Sequence, residues 1–219
     1  MILLLNGSPK PAHSTSASLG EYLLDRLTER GVQTSTLRIN SSINTPESIQ
    51  EMLTAIEAAD IIILAFPLYV DSLPYGCMRA FEIIAEKYHN AAKNGQRMIA
   101  ICNSGFPEAS QSEIALDICK RFAAEVGFEW MGGLALGGGA GLDGKPLDKA
   151  GGMVRSVIEA LNSAAEEIAA GQPLSEKTIS LMAKPMMPSW LYLAGGNLSW
   201  HLQARKNRVH KHLNDKPYE

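Results

Sequence analysis

The sequence has few cysteines, no long apolar run and no dominant charge, and each shortage removes a class of protein. Its three cysteines, Cys77, Cys102 and Cys119, form no C-x-x-C pair and are odd in number. Neither a disulfide framework nor a zinc site is therefore expected, and a reducing cytoplasm fits best. No uninterrupted apolar stretch approaches the ~20 residues that span a bilayer. The N-terminus is apolar only from Ile2 to Leu5 and lacks a basic leader, so no secretory signal is expected. A formal net charge of -3 argues against a protein built around nucleic acid. Familiar catalytic motifs are missing too. There is no G-x-S-x-G elbow and no H-E-x-x-H pair, and His210 and His212 are wrongly spaced to share one helix face.

What remains is an ordinary globular composition, 46% hydrophobic and 20% charged, in 219 residues. That is enough for one domain with a substantial core and short for two. Continuous apolar runs at Ile2–Leu5, Ile61–Phe66 and Met98–Cys102 read as parallel strands covered on both faces. Weaker strands are predicted near Gln33–Ile39 and Met131–Leu136. Between them lie stretches of helical period: Leu19, Leu23 and Leu27; Ile49, Met52, Leu53 and Ile56; Cys77, Phe81, Ile84 and Tyr88. Ile114, Ile118 and Phe122 repeat the pattern, as do Val154, Val157, Ile158 and Leu161. Thr45-Pro46 predicts a capped helix start, and Ser110-x-x-Glu113 has the form of a capping box. Five strands alternating with five helices predict a doubly wound α/β sheet, whose ligands lie beyond the carboxyl ends of the strands.

Three segments after strands are therefore the ones to read for chemistry. The first, Asn6–Ser18, brings Ser8, Lys10, Ser14, Thr15 and Ser16 to the start of a helix. A helix N-terminus attracts phosphate, and hydroxyls add donors. The spacing fits neither G-x-x-x-x-G-K-[ST] nor G-x-G-x-x-G, and a plain Ser/Thr-rich helix cap is the alternative. Pro11 removes one backbone donor, and His13 is expected to be exposed. The second segment, "PLYVDSLPYG", frames Leu68, Tyr69 and Val70 between Pro67 and Pro74. A rigid turn with apolar and aromatic faces suits a planar ring; Tyr69 taken alone reads rather as a core or rim aromatic, and Tyr75 is expected to pack internally. The third is Asn103-Ser104-Gly105-Phe106-Pro107, a polar, glycine-flexed turn with one more aromatic. Cys102 reads as a buried structural thiol.

Taken together, "NGSPKPAHSTS", "PLYVDSLP" and "NSGFPE" resemble the flavodoxin-like NAD(P)H-dependent FMN reductases and quinone reductases over about residues 1 to 170. The resemblance implies a five-stranded sheet of order 2-1-3-4-5 in residues 1–171, with a helical C-terminal extension in 172–219 that is no independent domain. It further implies that Ser8, Lys10, Ser14, Thr15 and Ser16 hold the FMN phosphate. Pro67, Leu68, Tyr69 and Val70 would lie beside the isoalloxazine, with Asn103, Ser104, Gly105 and Phe106 on its other side. Many relatives carry Asn-Gly-Asn-Thr or similar where this chain has "KPAHSTS". By the same resemblance the FMN carries the chemistry, NADH or NADPH is the reductant, a small molecule is the electron acceptor, and the protein is a homo-oligomer. A flavodoxin-type carrier or a scaffold without cofactor is the alternative; carriers are usually strongly acidic, which this chain is not.

Two segments lie outside that reading. "GAGLDG" at Gly139–Gly144 satisfies G-x-G-x-x-G, with Glu159 twenty residues on. Glu159 falls in a helical pattern, so a mobile glycine loop beside the flavin is expected and not a dinucleotide fingerprint, with purely structural turns as the alternative. The tail reads as one or two helices ending in a basic stretch with Arg205, Lys206, Arg208 and Lys211. A solvated helix face is the expectation there, with contact to a membrane surface or a partner as the lesser alternative.

Overall fold

Leu3, Leu4, Leu5, Ile62, Ile63 and Leu64 are all buried, as two-sided strands require. The computed structural model describes residues 1–10, 13–88 and 95–216; Pro11 lies outside them. The strands β1 (Ile2–Asn6), β2 (Thr34–Arg38), β3 (Ile61–Pro67), β4 (Arg97–Asn103) and β5 (Glu129–Leu136) form one sheet. It is parallel throughout, in the order β2-β1-β3-β4-β5. Alternate residues of each strand feed opposite layers. Ile2, Leu4, Ile61, Ile63, Ile99 and Ile101 pack under α1 (Thr15–Thr28) and a later helix over Arg155–Ala169. Leu3, Leu5, Ile62, Leu64, Phe66 and Cys102 pack under α3 (Pro46–Glu57), α4 (Tyr75–Tyr88) and α5 (Glu113–Glu125). A single turn, α2 (Ile39–Ser42), joins β2 to α3.

Thr45 caps α3 with Pro46 at its first position, and Ser48 completes a reciprocal capping box. The α5 start differs from expectation. Residues Ala109–Ser112 form a 3-10 turn, so the helix opens at Glu113, two residues too late for Ser110 and Glu113 to cap each other. The buried stripe of α5 is also displaced by one residue, to Ala115, Cys119 and Ala123. Ile118 and Phe122 flank it and Ile114 is exposed, because small residues let this helix approach the sheet closely.

On β5 a bulge shifts the register: Met98 pairs with Trp130 but Ile99 with Gly132. Gly132 has φ +131, and a Cβ there would lie 2.9 Å from Leu174 Cβ. Leu174 is thereby seated on the sheet, its N–H donating to Met131 O at 2.7 Å. It leads from α6 (Arg155–Ala169) into α7 (Glu176–Met182), whose Met182 joins the same core layer. Residues Met1–Met186 form one compact unit and Met187–Glu219 a second. The described residues of the second unit comprise α8 (Ser189–Lys206) followed by short turns.

Gly20 marks the tightest contact between α1 and the sheet: a Cβ would lie 2.7 Å from Leu4 Cδ2. Alanine is the better helix former by about 1 kcal/mol, but overpacking a closed core costs about 1–3 kcal/mol. Gly20→Ala is therefore expected to lower the urea midpoint, and adding Leu4→Val should restore part of it. A Gly20→Ala protein more stable than the parent would contradict this packing.

Candidate functional site

The sheet order reverses at β1, so the chain leaves β1 and β3 toward opposite faces and opens a crevice at their carboxyl ends. A cleft of about 240 Å³ lies there. Eleven of the thirteen residues singled out in the sequence line it: Ser8, Lys10, Ser14, Thr15, Ser16, Pro67, Leu68, Tyr69, Asn103, Ser104 and Gly105. Val70 and Phe106 do not; they are exposed at the tips of their loops. Gly139, Ala140 and Asp143 complete the lining. The glycine pattern of that segment hinted at a site, whereas nothing in the sequence distinguished Asp143. Tyr75 is 79% exposed rather than packed, because it begins α4 where the helix rises off the sheet.

The first loop is held by a chain of short-range hydrogen bonds. Ser8 N donates to Asn6 Oδ1 at 3.0 Å, and Lys10 N to Ser8 Oγ at 3.3 Å. Arg38, at the end of β2, donates to Lys10 O at 2.7 Å. Ser14 is the N-cap of α1, its Oγ accepting from Ala17 N at 3.1 Å. Thr15 Oγ1 donates to Gly139 O at 2.9 Å, so its proton is spent on closing the β5 loop. Ser16 Oγ accepts from Asn103 Nδ2 at 2.8 Å. The three serines thus act as acceptors, and among the described residues none of their hydroxyls donates a hydrogen bond. Their O–H groups remain available for an anion at the positive end of α1. Lys10 Nζ lies 3.8 Å from Asp143 Oδ1, both exposed, which is a weak contact.

The opposite wall is apolar and stiff. Leu68 N donates to Asn103 O at 2.8 Å, extending the β3–β4 pairing past Pro67. Tyr69 and Ser72 then form a two-residue hairpin whose central residues, Val70 and Asp71, have φ 48 and φ 58. A β-branched residue in this region is strained, by about 1–3 kcal/mol, and the hairpin retains it. Gly139 N donates to Ser104 O at 2.7 Å and Gly138 N to Phe106 O at 2.6 Å. These bonds stitch the β5 loop to the loop after β4. A Cβ on Gly137 would meet Pro107 O at 2.3 Å, and one on Gly144 would meet His13 O at 2.3 Å, so both close approaches need glycine. Gly139–Gly141 is a 3-10 turn and Glu159 lies within α6, ion-paired to Arg155 at 3.0 Å. The G-x-G-x-x-G pattern therefore opens no βαβ unit. His13 is exposed, as expected.

A larger groove of about 620 Å³ runs along α1 from His13 to Arg26. It mixes Glu21, Asp25 and Asp148 with Arg26 and Arg38 and shares only Ser14 with the cleft. Charges of both signs, and the absence from its lining of any residue of the loops after β3 and β4, make it the poorer candidate.

Behind the cleft lie the three thiols, all buried. Burial pushes Cys77 and Cys102 up to about 12, and Cys119 well above its ordinary 9.0. Cys77 Sγ contacts Gly7 O at 3.6 Å and anchors the first loop from below. None of the three is a thiolate near neutral pH, so no nucleophilic role follows. A disulfide-exchange reagent at neutral pH should label no thiol until the chain is unfolded; prompt labelling of one in the native state would contradict this burial. The folded protein holds these protons more tightly than the unfolded chain. Stability is therefore expected to be complete below pH 9.0 and to fall as pH rises from there toward about 12. A Cβ on Gly7 would lie 2.2 Å from Cys77 Sγ. Gly7→Ala should accordingly lose about 1–3 kcal/mol, with partial recovery in Gly7→Ala/Cys77→Ala, both read from urea midpoints.

No curated protein matches this sequence. Solved structures do. The FMN-dependent NADH-azoreductase of Bacillus anthracis str. Ames Ancestor is 16% identical, with 77% of this chain and 99% of that one covered at a TM-score of 0.55. The NAD(P)H:quinone oxidoreductase of Methanothermobacter marburgensis is 14% identical, covering 76% and 94% at a TM-score of 0.55. A flavodoxin of Streptococcus pneumonia TIGR4 is 17% identical, covering 78% and 99% at a TM-score of 0.53. At such identities these likenesses concern the fold. A family model described as "Flavodoxin-like fold" matches residues 1–138, and the chain belongs to that family.

Proposed function

We propose that the chain is an FMN-dependent oxidoreductase. It takes reducing equivalents from NADH or NADPH and passes them by a ping-pong mechanism to a small acceptor such as a quinone, a flavin or another aromatic compound. One observation carries this reading: three strand-end loops converge on one cleft that pairs hydroxyl donors at a helix N-terminus with a stiff apolar wall. FMN, when bound, supplies hydride and electron transfer, so the protein needs no nucleophile or acid–base couple of its own. The residues fit such a group. The hydroxyls of Ser8, Ser14 and Ser16, with the N-terminus of α1, would hold its phosphate, and Lys10 would add charge at the rim. Thr15 would act indirectly, by keeping the β5 loop closed through Gly139. Pro67, Leu68 and Tyr69 would flank the ring on one side. Asn103, Ser104 and Gly105 would face its polar edge.

Val70 and Phe106, 96% and 54% exposed, are left for the acceptor or for a second subunit completing the site. A homo-oligomer in the cytoplasm suits this reading, and the three free buried thiols favour a reducing compartment. The pneumococcal flavodoxin shares the fold at about the same TM-score, so the fold does not separate an enzyme from an electron carrier.

The protein mixed with FMN and desalted is expected to keep flavin absorbance and then to oxidise NADH or NADPH with a quinone present. Loss of all added FMN would sink the reading, and a flavoprotein inert to both nicotinamides would point to a carrier. Ser16→Ala removes one hydroxyl from a dianion site, and bonds to charged groups are worth about 1.5–3 kcal/mol. FMN affinity should fall at least about tenfold, and the FMN-free protein should also lose about 1–3 kcal/mol, because Asn103 Nδ2 is left without its acceptor.

A further inference from the structure

We infer that α8 and the basic residues after it form a docking surface for anionic lipid, lying in the plane of a membrane surface. The second unit is built very differently from the first. Between Glu176 and Asp215 the chain has no carboxylate side chain at all. Residues 187–219 hold five Lys/Arg against two Asp/Glu, in a chain whose net charge is -3. Arg205, Lys206, Arg208 and Lys211 form no ion pair among the described residues. Positive charge is thus gathered at one end of the chain, beside one helix.

That helix exposes what a water-facing helix hides. Trp190 and Trp200 are 70% and 74% exposed, and Leu191, Leu193, Leu198 and Leu202 are exposed as well. At about 100° per residue, these six side chains fall on one arc of about 200°. Gly196, Ser199, Gln203, Lys206 and the half-buried Tyr192 occupy the other side, while Asn197, His201 and Arg205 interrupt the apolar arc. An arc this broad exceeds the narrow seam of a paired helix, and Arg205 within it, on the last turn, is long enough to reach past the apolar side chains to charged headgroups. Tryptophan near each end of the apolar stretch is also the residue that prefers the headgroup level. Gly195 and Gly196 in mid-helix cost about 1 kcal/mol each relative to alanine, so the helix gains from a surface that covers it. No helix among the described residues is long and apolar enough to cross a membrane. The surface is therefore peripheral.

A second copy of the chain is the rival occupant. Parallel pairing of α8 would bring two basic clusters together, and antiparallel pairing would leave both without carboxylates. A lipid surface of negative charge meets the apolar arc and the basic cluster at once.

The test is co-sedimentation of the full-length protein with phosphatidylcholine vesicles, with and without phosphatidylglycerol. Binding is expected to be at least about tenfold stronger to the anionic vesicles and to weaken as salt rises from about 0.1 M to about 1 M. Two variants keep the readout specific: Trp190→Ser/Trp200→Ser and Arg205→Gln/Lys206→Gln/Arg208→Gln/Lys211→Gln. Each should lose most vesicle binding while the thermal midpoint of the main unit is unchanged. Absent binding, equal binding to both vesicles, or binding unaltered in both variants would overturn the inference. So would a protein that ignores vesicles but halves in mass when the tryptophans are replaced, since a second copy then covers the helix. Flavin retention plays no part in these readings, so this test and that of the cleft fail independently.

Discussion

The side-chain amide of Asn103 holds the cleft together. Its Nδ2 donates to Ser16 Oγ, at the start of α1, and to Phe66 O, near the end of β3, at 2.8 and 3.0 Å. One buried group at the end of β4 therefore fixes the spacing of all three strand-end loops. The group is closed off from water, so each donor left unmade would carry its full desolvation cost of about 1–3 kcal/mol. This makes the three loops one unit: the helix N-terminus cannot drift from the apolar turn without breaking a bond that nothing replaces.

Close backbone approaches complete the arrangement. Gly7 sits on Cys77, Gly137 on Pro107 and Gly144 on His13, at separations that exclude any Cβ. The β5 loop is drawn by the last two contacts, and by Thr15, over the side of the cleft. Thr15 shows that a hydroxyl at a helix N-terminus need not be a ligand donor. Its proton closes a loop, while those of the neighbouring serines stay uncommitted. Strain collects at the same end of the sheet, where the hairpin holds Val70 in a left-handed conformation.

The two compact units divide the physical work. The first is a two-sided sheet whose apolar strands vanish into the interior. The second keeps its apolar side chains outside and its cations together. Burial explains the first, and the second makes physical sense only against another surface.

Much of this was legible in the sequence. Continuous apolar runs such as "IIILAF" specify two-sided strands because only a parallel sheet covered on both faces can bury every residue. Such a sheet confines ligand chemistry to its strand ends, so eleven cleft residues could be named from local pattern and family likeness. The α5 start could not, because the 3-10 turn that displaces Ser110 is set by how the loop after β4 meets the sheet. Tyr75 was misplaced because an aromatic residue at a helix start has no periodic partner to reveal its direction. Asp143 and the tie from Thr15 to Gly139 join segments more than a hundred residues apart, and no local spacing encodes them. The sequence by itself determined the sheet, its order of layers and the ends where chemistry can occur, through hydrophobic period and turn residues. Only the tertiary structure decided which hydroxyls stay free, because that depends on which distant carbonyls and amides come within hydrogen-bond reach.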